Sequence, residues 1–74
     1  MPKGKELLRF LRKHGYEEIR QKGSHRILKH PARPMLSLPI HPGDIPHGLF
    51  LRILKDAGFS VEDFFGGKER KNQP

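Results

Sequence analysis

One imidazole stands out in this chain by its position. His25 follows a Gly-Ser turn at the start of an alternating segment, in the run Gln21-Lys22-Gly23-Ser24-His25-Arg26-Ile27-Leu28-Lys29-His30-Pro31. Imidazole is the side chain whose ordinary pKa lets it give and take protons near neutral pH. Lysines and arginines surround it in the run and suit a phosphate. The chain has no cysteine, which excludes disulfides, thiolate nucleophiles and thiolate zinc sites. No Gly-rich phosphate loop and no paired-carboxylate motif is present. A histidine among cations points to RNA and opens RNA cleavage as one chemistry; on spacing alone the alternative is an ordinary strand-end histidine.

RNA carries its own nucleophile, the ribose 2′-hydroxyl. Its cleavage needs a group to remove that proton, a proton for the leaving 5′-oxygen, and positive charge for the phosphorane. One positioned histidine supplies on the order of 10²–10⁴ in rate, and nearby cations stabilise the developing charge. His25 is the candidate base or acid, with Lys22 and Lys29 as phosphate contacts. Gly23 provides the tight turn. Ser24 either donates to a phosphate oxygen or bonds locally within the turn. His41 has three readings: a second acid/base group, a phosphate contact, or a loop anchor. His30, before Pro31, reads as fixing a turn, and His14 as a half-buried cap of the first helix. His47 falls in the first turn of a helix, where a cation is disfavoured and an anion could be met. The five histidines lack the helical i, i+4 or finger-type spacing of a zinc site, so no metal is expected.

With 74 residues the chain holds one domain with a small core. Its net charge of +7 is a strong field for that size and favours encounter with polyanions. No apolar run approaches the roughly 20 residues of a membrane span, and the basic N-terminus lacks the apolar stretch of a signal peptide. A soluble protein of the cytoplasm is the expectation.

The elements that must position His25 follow from periodicity and turn residues. Lys3 to His14 reads as an amphipathic helix with Leu7, Leu8, Phe10 and Leu11 on one face, ended by Gly15. Tyr16 to Lys22 reads as a strand whose apolar residues are Tyr16 and Ile19. His25 to His30 is a second strand. Met35 to Ile40 is a third, with Leu36, Leu38 and Ile40 toward the core; Pro39 confines it to an edge. A helix begins near Pro46, with Asp44 as a possible cap. It runs to about Ala57 and ends at Gly58. Ser60 starts a last helical turn, after which Phe64 and Phe65 fold back on the core. Residues 66–74 read as a flexible basic tail beyond a domain of residues 1–65. The fold class is α+β: an α-β-β-β-α, double-stranded-RNA-binding-domain-like layout. Its three-stranded antiparallel sheet has helices on one face and the other face open.

Four segments in order carry a family likeness: Gly23-Ser24-His25; His30-Pro31; Leu38-Pro39-Ile40-His41; and Arg52-Ile53-Leu54-Lys55-Asp56-Ala57-Gly58-Phe59-Ser60. Together they resemble the HicA toxins of toxin–antitoxin systems, over the stretch from Leu7 to Phe64. The resemblance implies a small ribonuclease that cleaves mRNA, with His25 as the catalytic histidine. It also implies neutralisation by a HicB-type antitoxin that covers this histidine, and no cofactor. The chain departs from the family at His47-Gly48-Leu49-Phe50 and at Arg26, which bears on substrate preference. Two rival readings follow from charge and layout alone: a non-catalytic RNA-binding module of the same fold, and a domain whose positive surface meets an acidic protein.

Overall fold

The computed structural model describes residues 2–39 and 43–66. The elements are α1 (Gly4–Lys13), β1 (Glu17–Lys22), β2 (His25–Lys29), β3 (Leu36–Pro39), α2 (His47–Ala57) and α3 (Val61–Phe65). The three strands form one antiparallel sheet in the order β1-β2-β3. β3 is therefore an edge, which is where its Pro39 can be tolerated. Ile40 and His41 lie outside the described residues, as do residues 67–74 of the expected basic tail. Gly66 caps α3, its N–H bonded to the Glu62 carbonyl at 2.6 Å.

The core lies between one face of the sheet and the helices. Leu7, Leu8 and Leu11 come from α1, Leu28 from β2, Leu36 and Leu38 from β3. Phe50, Ile53, Leu54 and Ala57 come from α2, and Tyr16, Ile45 and Phe59 close the margins. Each fully buried large side chain stabilises the fold by about 1.5–3 kcal/mol. The helical spacing of these leucines is what sends one stripe of α1 and α2 onto the sheet.

Several local features differ from the sequence expectation. Ile19 is 46% exposed and adds nothing to the core, since it follows Glu18, which pairs with core Leu28, and so lies off the helix side of the sheet. Met35 precedes β3 and is 60% exposed. Asp44 does not cap α2. Its backbone bridges to Lys3, and its carboxylate takes an ion pair from the Lys3 Nζ at 3.4 Å. α2 starts only at His47, after Pro46, which leaves Asp44 too far upstream. Phe64 packs on the core, whereas Phe65 stays half exposed. His14 is exposed rather than half-buried, although its ring stacks against Phe10 and Phe59 with centroids 4.4 and 5.0 Å away.

The end of the domain around the β2–β3 turn is held by polar side chains. His30 Nδ1 accepts the Ala32 N–H at 2.9 Å, so its Nε2 carries the proton and donates to the His14 carbonyl at 2.9 Å. This histidine ties the turn to the end of α1, as its place before Pro31 suggested. Arg33 Nη1 donates to the Ala57 carbonyl at 2.9 Å, and its guanidinium sits 4.2 Å over the Phe59 ring. A cation there satisfies a C-terminal carbonyl of α2 and suits the helix dipole. The Tyr16 hydroxyl donates to the Pro34 carbonyl at 2.8 Å.

Two predictions follow. Gly15 has φ +102°, and a Cβ there would stand 2.7 Å from His30 Nε2. Gly15→Ala should cost about 1–3 kcal/mol, read as a lower urea midpoint; an unchanged midpoint would contradict the packing. Burial raises the Tyr16 phenol above its ordinary 10.0, partly offset by the Arg33 guanidinium. A raised folded value means that the group's contribution is complete below pH 10 and is lost as pH climbs through the raised value. Stability should fall more steeply in that alkaline window for the wild type than for Tyr16→Phe; equal slopes would contradict the assignment.

Candidate functional site

β1 and β2 are joined by a two-residue turn, Gly23-Ser24, flanked by the cross-strand pair Lys22 and His25. Gly23 has φ +60°, and Ser24 has no positive φ. A left-handed residue at the first central position only is the signature of a type II′ hairpin turn, which favours glycine there. The turn therefore fixes two things at once: His25 as the first residue of β2, and Lys22 as its partner across the ladder. Cross-strand partners have their Cβ atoms about 4.5–5.5 Å apart.

Strand register decides which face each side chain takes. Leu28 pairs with Leu36, and Arg26 with Leu38, so the even positions of β2 face the helices. His25, Ile27 and Lys29 face the other way, onto the open side of the sheet. On β3, Pro39 is the partner of His25 and Ser37 that of Ile27. On β1 the partners of His25, Ile27 and Lys29 are Lys22, Arg20 and Glu17. The open face thus holds Glu17, Arg20, Lys22, His25, Ile27, Lys29, Ser37 and Pro39.

The register of β1 shifts between Glu18 and Arg20. Glu18 opposes Leu28, and Arg20 opposes the next residue, Ile27. The extra residue is Ile19. A one-residue shift sends every later side chain to the opposite face. Without it Arg20 and Lys22 would follow Glu18 toward the helices, and Ile19 and Gln21 would face outward. With it, both cations join His25 and Gln21 goes over to the side of Arg26.

Gly23, Lys22 and His25 are brought together at one end of the hairpin. His25 is exposed, and its ring bonds no other described residue. Ser24 is also exposed, and its hydroxyl has no partner among the described residues, so the local turn bond weighed for it is not formed. Lys29 shares the face but stands four residues along β2 from His25, about 13 Å at the usual rise, and opposite Glu17. It does not reach the same phosphate as Lys22. His41 lies outside the described residues.

Arg20 is the residue that periodicity missed. It stands diagonal to His25 across the ladder, and it bonds no acceptor among the described residues. The arginines on the helix side differ. Arg12 and Arg26 both donate to Glu18 Oε1, at 3.1 and 2.9 Å. Their charge is matched by a carboxylate, whereas that of Arg20, Lys22 and Lys29 faces outward unmatched by any carboxylate within ion-pair distance. Such a face can hold a polyanion against a free imidazole.

Among the described residues no three His, Cys, Asp or Glu side chains converge as a metal site would require. No helix there is long and apolar enough to cross a membrane. Comparison with curated proteins finds none that matches. The sequence profile of one family does match, described as the HicA toxin of bacterial toxin–antitoxin systems, over residues 4–59. That span contains α1, the whole sheet, α2 and the His25 turn, and on it the chain belongs to the HicA toxin family, the toxin partner in a toxin–antitoxin pair.

Proposed function

We propose that this toxin is an endoribonuclease that cleaves mRNA with His25 as its proton-transfer group. The observation that carries the reading is the position of His25: an exposed imidazole at the head of β2, its ring bonded to no other described residue, with Lys22 directly across the ladder. Family membership adds that the chain is the toxin of a toxin–antitoxin pair.

The chemistry needs few parts. His25 takes the proton of a ribose 2′-hydroxyl as that oxygen attacks the adjacent phosphorus. The bond from phosphorus to the 5′-oxygen breaks, and the leaving oxygen takes a proton from water or from a second acid. His41 is the candidate for that second acid. The products are a 2′,3′-cyclic phosphate and a 5′-hydroxyl. Lys22 and the Ser24 hydroxyl hold the phosphate oxygens, and Lys29 meets the strand further along β2. The reaction draws its nucleophile from the substrate, so a metal ion is not required of the protein.

A HicB-type antitoxin is the proposed partner. Covering the open face would screen the unpaired cations and exclude RNA from His25 in one step. Purified toxin is the right material for a test, since the antitoxin would mask the face.

His25→Ala should lower RNA cleavage by on the order of 10²–10⁴, with an unchanged melting curve and RNA binding retained. Equal cleavage by the variant would remove His25 from the chemistry. RNA with all-2′-deoxyribose should resist, and a cut in it would mean a nucleophile other than the 2′-hydroxyl. Binding of RNA without strand breaks, in wild type and variant alike, would favour the non-catalytic module instead.

A further inference from the structure

We infer that Arg20 and Lys22 form a two-phosphate clamp for the RNA strand, built by the extra residue at Ile19, with Arg20 as a substrate-binding residue beside His25. This deepens the nuclease reading and rests on it.

Arg20 and Lys22 are alternate residues on one strand, separated by about 6.6 Å at the usual rise per residue. That is of the order of the distance between successive phosphates along a nucleic-acid strand. Two cations so spaced engage neighbouring phosphates rather than sharing one. Lys22 faces His25 directly, so its phosphate is the one next to the imidazole. Arg20 faces Ile27, one ladder step inward, so its phosphate is the next along.

The second observation is charge accounting. Among the described residues, Arg12, Arg26, Arg33 and Arg52 each have an acceptor: Glu18 for the first two, the Ala57 carbonyl, and Asp56; Arg9 and Arg20 have none, and Arg9 lies on α1, away from the sheet's open face. Arg20 lies on a face whose only carboxylate is Glu17, at the far end from the turn. A guanidinium presents a planar fork of donors that matches two phosphate oxygens, so it fixes orientation as well as supplying charge.

The third is the neighbourhood. Ile27 and the half-exposed Ile19 offer apolar surface beside the cations. No phenylalanine or tyrosine among the described residues faces this side; Tyr16 is buried, and the phenylalanines come from α1, α2 and the segment after it. Apart from the His25 ring, bases meet no aromatic platform there among the described residues, unlike in stacking-based single-strand binders. Grip on the strand therefore falls to backbone contacts, and Arg20 supplies the one with defined geometry.

The deciding experiment exchanges two neighbours. Arg20→Gln combined with Gln21→Arg keeps length, composition and net charge, and moves the guanidinium from the open face to the helix side. It is compared with Arg20→Ala and Arg20→Lys on single-stranded RNA across a salt series. The exchange and the alanine variant should raise KM about tenfold or more with kcat maintained. Their log-affinity against log-salt slope should become shallower by about 0.7, and Arg20→Lys should keep the wild-type slope. All three should melt like the wild type, since Arg20 bonds no other described residue and Gln21 is exposed. A cleaving wild type with KM and slope unmoved by the exchange would overturn the clamp and leave the nuclease reading intact. If the wild type binds RNA without cutting it, the same comparison on Kd decides the clamp while the nuclease reading falls. A wild type that neither binds nor cuts RNA overturns both.

Discussion

The register of the β1–β2 hairpin is the constraint from which the rest of the site derives. Two local events set it: a type II′ turn at Gly23-Ser24 and one extra residue at Ile19. The turn starts β2 at His25 and pairs it with Lys22. The extra residue reverses the facing of β1 between its two halves. Tyr16 and Glu18 can thus serve the helix side while Arg20 and Lys22 serve the open side. Neither event costs the core anything, because no residue of β1 belongs to the core.

The same register sorts the positive charge into two populations. On the helix side Glu18 accepts from both Arg12 and Arg26, linking α1 to the sheet. Partly exposed pairs of this kind are worth about 0–1 kcal/mol each, so their main effect is orientation. On the opposite end of the domain Arg33 is bound to the end of α2 and to Phe59. Among the described residues the cations without a carboxylate partner include the outer residues Arg9 and Lys13 of α1 and the row on the open face, and only that row lies beside His25. His30, by contrast, spends both ring nitrogens on the fold.

Much of this was legible in the chain. The leucines of α1 and α2 and the alternation of Leu36 and Leu38 announce the layers, and Gly15, Gly58 and Pro39 mark ends and an edge. The Gly-Ser-His order announces the turn and the histidine. Arg20 was hidden because simple alternation from Tyr16 puts it on the wrong face. A clue existed. Tyr16 belongs to the core and Lys22 must face outward with His25, yet both occupy even positions. Only an inserted residue between them reconciles the two, and Ile19 is that residue. Asp44 misled for another reason: an acidic residue near a helix start looks like a cap, but Pro46 delays the helix and the Lys3 backbone claims Asp44 first. The polar roles of Arg33 and His30 depend on contacts between distant segments, which local pattern does not encode.

The central claim is that the open face of the sheet, at the His25 end of the hairpin, is where RNA sits. The most direct measurement follows side-chain resonances while a short 2′-O-methyl RNA, which resists cleavage, is added. The His25 ring and the Ile27 methyl signals should shift together, along with the Arg20 side chain, while Leu28 and Leu38 methyls on the helix side stay still. Shifts gathered on the outer face of α1, at Arg9 and Lys13, with His25 and Ile27 unmoved, would contradict the account.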